Sequence, residues 1–424
     1  MSTTYPDPGE IAPGLDANAE SFGHPASLQP SHVQSGTGEF RRISIAFFLA
    51  GFATFALLYC VQPLLPLFAQ YFDVLPATSS LPLSLTLGCL ALSIMIMGAL
   101  SQQLGRKGLM LCSMVSAAAL NLLASIAPDW NSLLIARALE GVALGGLPAV
   151  AMAYLAEEID PKHLPKAMGI YIAGTSVGAM LGRVGMGSLT EFISWQQAME
   201  VLGVLCLMAA GGFALLLPPS RNFTKTSHAG LAFHLQTWLG HLKNPALQKV
   251  YGLGFCLTGV FSTVYNYLSF RLFEPPYSMS PFTVSLMFLL FLFGTVASSY
   301  TGALTLRFGA KRLLLGSFGL TFVGVLITLP GSLFLICVGI AFTTVGFFIG
   351  HSVASGLVGL SAKGNKGHAS SLYLLFYYMG ASLVGYVGGW FWHLGHWPGL
   401  AALTCLLALA ALIISSRVRV SRPA

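Results

Sequence analysis

Charge is what this chain lacks most. Asp, Glu, Lys and Arg make up 8% of its 424 residues, against roughly 25% in a soluble domain. With 55% hydrophobic residues, no water-soluble fold of this length can hide its apolar surface, so the bilayer must be the solvent. Acid is scarcer than base, 14 residues against 21. Cysteine is sparse and scattered. Cys60, Cys89, Cys112, Cys206, Cys256, Cys337 and Cys405 stand singly in apolar stretches without CxxC spacing. They read as small buried hydrophobes, which excludes a disulfide framework and a thiolate metal site. No HExxH sequence and no clustered His/Asp set is present, so no metal or cofactor is expected. Alternating polarity over segments of about ten residues, the signature of a membrane β-barrel, is also missing.

What the chain has instead is long apolar runs. Twelve are long enough to span as helices: roughly 43–69, 79–101, 109–128, 131–155, 166–189, 197–217, 247–270, 281–303, 312–330, 332–356, 369–393 and 397–416. Two stretches nearly copy each other. GALSQQLGRKGLMLCS at 98–113 returns as GALTLRFGAKRLLLGS at 302–317. A second echo pairs Tyr171 with Tyr373, Gly178 with Gly380, Gly187 with Gly389 and Trp195 with Trp397. A hydrophobic chain built twice from one unit predicts an all-α membrane protein, with twelve transmembrane helices in two six-helix pseudo-symmetric halves and a site between them.

Lys and Arg set the orientation. Eighteen of the 21 fall on one side of this map, leaving only Arg137, Arg183 and Arg271 elsewhere. The positive-inside rule makes that side cytoplasmic and places both termini there. The net charge of +7 follows from this bias and is not read as nucleic-acid binding. Residues 1–40 carry five acids, five prolines and no Lys or Arg, which predicts a disordered acidic cytoplasmic tail. The domains expected are then a six-helix bundle over 41–217, a cytoplasmic linker over 218–246, a second bundle over 247–417 and a short tail, 418–424. Around His234–His241 the linker reads as an amphipathic helix at the membrane surface.

Gly98, Leu100, Gly105, Arg106 and Lys107 resemble the loop between spans two and three of the major facilitator superfamily, a G-x-L-x-D-R-x-G-R-K-type pattern. The resemblance covers about residues 41–417. It implies alternating access between two packed halves and a gating role for this loop. The acid of the pattern is replaced by Gln102 and the next arginine by Gln103. In the family that acid helps lock the outward-facing state; Gln102 can hydrogen-bond but supplies no charge. The alternative is that the remaining basic residues serve topology alone.

Span four reads LLIARALEGVALGG and resembles the family's R-x-x-Q-G motif through Arg137, Glu140 and Gly141. Arg137 and Glu140 share a helix face. Glu140 lies about 13 Å into the span at roughly 1.5 Å per residue, near the middle of a core about 30 Å thick. An ionisable group there is expensive and usually functional. It is either a titrating coupling site or half of a fixed ion pair. Glu200 is the other acid within a span, near its outer end. Span five carries Gly174, Gly178 and Gly182 followed by Arg183. It resembles the antiporter-associated motif of drug:proton exporters, with Ala179 in place of proline; close helix packing explains the same glycines. Arg183 and Arg137 are expected to flank Glu140 in one polar cluster.

His351 in span ten is a proton site or a hydrogen-bonded packing residue. With Tyr59–Pro63 and Ser370–Tyr373 it is similar to the YnfM-type branch of bacterial inner-membrane transporters. Pro63 and Pro66 interrupt span one beside Gln62, so a kinked segment near a cavity is expected. Tyr59, Gln62, Asn266 and Tyr377 are the lining candidates.

These residues predict a secondary transporter, multi-pass in a bacterial inner membrane and not an enzyme, whose partners are a small-molecule solute, protons and the lipid bilayer. Proton-coupled efflux of a small amphipathic or sugar-like solute is the first reading, with Glu140, Arg137, Arg183 and His351 carrying the coupling. Uncoupled facilitation or uptake is the second and a membrane-embedded enzyme the third. The orientation is testable by labelling. A cysteine placed at Ser361 on a Cys-free background should resist a membrane-impermeant thiol reagent applied to intact cells. Labelling from outside would invert the map.

Overall fold

The computed structural model describes residues 32–223, 230–362 and 364–418, without the side chains at 99, 102–104 and 231. Most of the acidic tail, the linker stretch 224–229 and the last residues, 419–424, lie outside the described residues. Residues 32–40 depart from the expected disorder. Val33 N–H donates to Glu158 O at 2.8 Å and Asp160 N–H to Val33 O at 3.1 Å, because this segment supplies partners for the frayed end of a later helix.

The described chain is almost entirely helical. α1 (Gly38–Tyr59) starts at Thr37, whose hydroxyl accepts from Phe40 N–H, an N-cap. Pro63 has no N–H, so the helix ends and a 3-10 turn (Gln62–Leu64) leads to α2 (Leu65–Tyr71). α3 (Pro76–Ser79), α4 (Leu81–Leu104), α5 (Arg106–Ser125), α6 (Trp130–Leu144), α7 (Gly146–Glu158), α8 (Leu164–Leu189) and α9 (Trp195–Leu216) follow. Asp129 caps α6, accepting from the Ser132 N–H and hydroxyl, both at 2.9 Å, and these bonds hold its carboxyl below the usual range. α10 (Leu231–Leu242) sits in the linker. α11 (Pro245–Phe273), α12 (Pro281–Ser285), a 3-10 segment (Leu286–Leu290), α13 (Phe291–Phe308), α14 (Ala310–Ile327), α15 (Leu333–Ser361) and α16 (Lys366–Ser416) complete the chain.

Among the described residues, nine helical segments are long and apolar enough to cross a membrane. α8 and α11, of 26 and 29 residues, are further helices longer than the core is thick. α16 runs for 51 residues but breaks at Gly395 and His396, just before Pro398. Large apolar side chains face outward, among them Leu292, Phe293, Val296, Leu394 and Leu406, while Arg137, Glu140 and Arg183 lie inside. That inverted arrangement belongs to a multi-pass membrane protein, where lipid surrounds the fold and charge must be satisfied within it.

Glycines set the tightest crossings. A Cβ on Gly174, Gly178 or Gly182 of α8 would collide with the backbone of Phe48, Phe52 or Ala56 of α1. A Cβ on Gly380 of α16 would collide with Phe255 of α11 in the same way. Close approach replaces the hydrophobic drive that lipid removes. The letters Gly174-Thr175-Ser176-Val177-Gly178 also spell G-x-S-x-G, but they lie in mid-helix, not at the strand-to-helix turn a nucleophile elbow needs.

The loops at Gly105, Asp160, Lys243 and Gly309 gather at one end of the bundle, the basic end. At the far end the helices before the linker meet those after it. Gly187 of α8 packs on Ser285, Glu191 accepts from Phe282 N–H at 3.3 Å, and Gly389 of α16 packs on Ala77 of α3. At the basic end the two sets part around a cavity of about 310 Å³, lined by Met95, Gly98, Arg106 and Ala149 on one side and His234, Trp238, His368 and Leu374 on the other. α10 forms part of that rim. His234 Nδ1 lies 2.8 Å from His368 Nε2, and Trp238 Nε1–H donates to Ser371 at 3.3 Å.

Two alanine substitutions on α8 should therefore have opposite signs. Gly178→Ala overpacks the α1 crossing and should destabilise by about 1–3 kcal/mol. Gly185→Ala meets open space and should be neutral or stabilising by up to about 1 kcal/mol through helix propensity. Thermal unfolding of the purified protein in detergent reads both.

Candidate functional site

The break in α1 leaves the carbonyls of its last turn without helical partners. The Arg137 guanidinium of α6 takes two of them, donating to Leu57 O at 3.4 Å and Leu58 O at 3.3 Å. Its Nη1 also donates to Glu140 Oε2 at 2.5 Å, one turn along the same helix. Both side chains are 0% exposed. Glu140 Oε1 and Arg137 Nε have no hydrogen-bond partner among the described residues. Cys60 and Asn121 complete this cluster, with Cys60 Sγ 3.7 Å from Asn121 Oδ1. All of its members belong to helices before the linker. Glu200, by contrast, is exposed on α9.

Arg183 does not join that cluster, contrary to the expected grouping around Glu140. Its place on α8 aims it at the other side of the α1 break. Nε donates to Gln62 Oε1 at 2.5 Å and Nη1 to Ala179 O at 2.5 Å. Gln62 Nε2 in turn donates to Asn266 Oδ1 of α11 at 2.7 Å. A polar chain thus runs from α8 through the α1 break into the helices after the linker. Arg183 is 2% exposed, Gln62 2% and Asn266 0%. Among the described residues Arg183 has no carboxylate within ion-pair distance. Aromatic faces surround it instead, with Tyr59 at 3.9 Å, Phe291 at 4.8 Å and Phe288 at 5.5 Å from the guanidinium carbon.

The repeats contain a signal for this chain of contacts. Asn266 follows Gln62 by 204 positions, the spacing of the first repeat, so the two are counterparts that meet. The contact itself could not be read from spacing alone. Aromatic side chains continue the wall. Tyr265 shares a 2.8 Å hydrogen bond with Thr344, Phe261 stacks on Phe347 at 3.9 Å, and Phe347 stacks on His351. His351 Nδ1 lies 2.9 Å from the Tyr373 hydroxyl, and its ring is 4.6 Å from that of Tyr377. Tyr59, Tyr377 and His351 are each partly exposed.

The repeated loops share one backbone conformation. Gly105 and Gly309 have φ of 87° and 83°, a region that favours glycine. Their chemistry differs. Arg106 makes a two-point ion pair with Glu157 at the end of α7, at 2.5 and 3.2 Å, and its Nη1 donates to Ser101 at 2.6 Å. Lys107 donates to Ala214 O and Leu217 O at the end of α9. The side chain of Gln102 lies outside the described residues. Glu157 is the residue the sequence reading missed, 51 positions from its partner and with no motif to mark it.

Known proteins fit this architecture. The Major Facilitator Superfamily model matches residues 47–273. The MFS-type transporter YybF of Bacillus subtilis is 42% identical over 91% of this chain and 95% of its own. The inner membrane transport protein YnfM of Escherichia coli is 40% identical over 96% of each. Among solved structures, the nucleoside transporter NupG superposes with a TM-score of 0.74 at 14% identity, covering 88% of this chain and 99% of that one.

The Arg106–Glu157 pair is open to a double-mutant cycle. Arg106→Gln and Glu157→Gln should each lower stability by about 1–3 kcal/mol, because each strands a partly buried charge. The double variant should cost little more than either, since the two sites are coupled. Additive losses in detergent unfolding would mean the pair contributes nothing as a pair.

Proposed function

The chain belongs to the major facilitator superfamily, and from that premise we propose a twelve-span secondary transporter of two six-helix halves that exports a small amphipathic solute in exchange for protons. A sugar-like solute is the other form of this reading. The observation that carries this reading is the buried chain Arg183–Gln62–Asn266. It joins the two sets of helices in the interior, where a solute would have to pass between them. With the basic end cytoplasmic, the contacts at the far end form the outer seal and the cavity beside Arg106 opens inward. The name of YnfM supports an inner-membrane location. Alternating access then requires the polar chain to break and re-form as the halves rock.

Proton coupling needs an interior group that gains and loses a proton. Glu140 is the first choice. Arg137 remains held by the Leu57 and Leu58 carbonyls whatever the charge on Glu140, and Glu140 Oε1 has no partner when ionised. Burial favours the neutral acid and Arg137 favours the carboxylate. A shift in hydration between states decides between them. Uncoupled facilitation is the second reading, favoured by the complete enclosure of the pair.

Glu140→Gln should abolish transport driven by a pH gradient in proteoliposomes while solute exchange persists, with folding checked by size exclusion. Intact pH-driven transport in this variant would remove Glu140 from the mechanism and make His351 the coupling residue.

A further inference from the structure

We infer that the interior site takes an organic anion, an aromatic or alicyclic monocarboxylate, whose negative group is held by Arg183. The inference rests on the transport reading above and names its substrate class. Its basis is a count of donors and acceptors. A guanidinium only donates, so Gln62 must present Oε1 to Arg183 and its amide nitrogen to Asn266 Oδ1. That fixes Asn266, whose Nδ2–H₂ is left buried without a partner. Ser84 Oγ is buried and unpartnered as well. Both Ser84 Oγ and Asn266 Nδ2 approach Gly385, at 3.8 and 3.1 Å from where a Cβ on it would stand. The site therefore has donors to spare and no acid. Of the two buried acids described, Glu140 is paired with Arg137, and Glu158 accepts from the Arg221 and Asn222 N–H groups.

A buried cation without a counter-ion is costly even after the surroundings relax. Cation–π contacts offset only part of that cost. If the chain of contacts served only to join the helix sets, a neutral donor would do so at less cost. An anionic solute makes the charge useful, because it supplies the missing counter-charge exactly where water is excluded. The rings of Tyr59, Phe288 and Phe291 around the guanidinium suit a flat apolar body carrying the carboxylate. Repeat symmetry points the same way. The counterpart of Arg183 at the second repeat's spacing is Gly385, packed close to the Asn266 amide, so the second repeat contributes an amide rather than a second charge.

Equilibrium binding of radiolabelled benzoate, 1-naphthoate and cyclohexanecarboxylate to the purified full chain in detergent tests this, with benzamide and benzylamine as competitors. At least one carboxylate should bind saturably and at least tenfold more tightly than its amide. Arg183→Gln should lose at least tenfold in carboxylate affinity and with it the preference for the acid over its amide. Arg183→Lys should recover part of the loss, and size exclusion should show both variants folded. Absence of saturable binding by all three acids, equal affinity for acid and amide, or unchanged carboxylate binding in Arg183→Gln would each overturn the inference. Binding in detergent needs no transport. Loss of anion selectivity with pH-driven transport intact therefore sinks the substrate class alone, and selective binding without any flux in proteoliposomes sinks the transport reading alone.

Discussion

Pro63 has no N–H to offer, and inside a bilayer no solvent replaces it. The first long helix therefore stops at Tyr59 and hands its loose ends to side chains. Arg137 takes two of them, and a second arginine grips a side chain at the break. Arg137 on α6 holds the carbonyls of Leu57 and Leu58, and Arg183 on α8 holds the side chain of Gln62. Both interior polar clusters are thus organised around one broken helix. The break also decides which helices can stand beside it. α8 must approach α1 closely enough for Arg183 to reach, and the Gly174, Gly178 and Gly182 stripe permits that.

The two clusters differ in what surrounds them. The Arg137–Glu140 pair is enclosed by helices that precede the linker, so its environment changes only if those helices shift or admit water. The Arg183–Gln62–Asn266 chain crosses from one helix set to the other, so any relative motion of the sets must strain or break it. The interior thus combines a charge balance kept within one set with a polar latch shared between both. Gly187, Glu191 and Gly389 add further contacts between the two sets at the far end.

Internal duplication accounts for the frame but not for the chemistry placed on it. Gly105 and Gly309 adopt the same backbone turn, and Gly178 and Gly380 make the same kind of crossing against α1 and α11. The polar residues break that symmetry. Arg106 has Glu157, whereas the matching place 204 positions on is Ala310, which carries no charge. Arg183 has Gly385 as its counterpart in the second echo, so its charge is not repeated. Packing constrains both copies alike because every crossing must close, while a site needs its charge only once.

By itself the sequence determined the solvent, the helical class, the repeat and the break in span one. Each of these follows from local or periodic properties: apolar length, the spacing of near-identical segments, and a proline without a donor. Glu140 and Arg137 were legible as partners because one helical turn separates them. The tertiary structure decided what lies far apart along the chain. It sent Arg183 to Gln62 instead of Glu140, gave Arg106 its counter-ion in Glu157, and set Asn266 against Gln62 across the two helix sets. Helix periodicity fixes which residues share a face, but the rotation of one helix against another is set by how all their side chains and glycines interlock. No local pattern encodes that angle, and these three contacts depend on it.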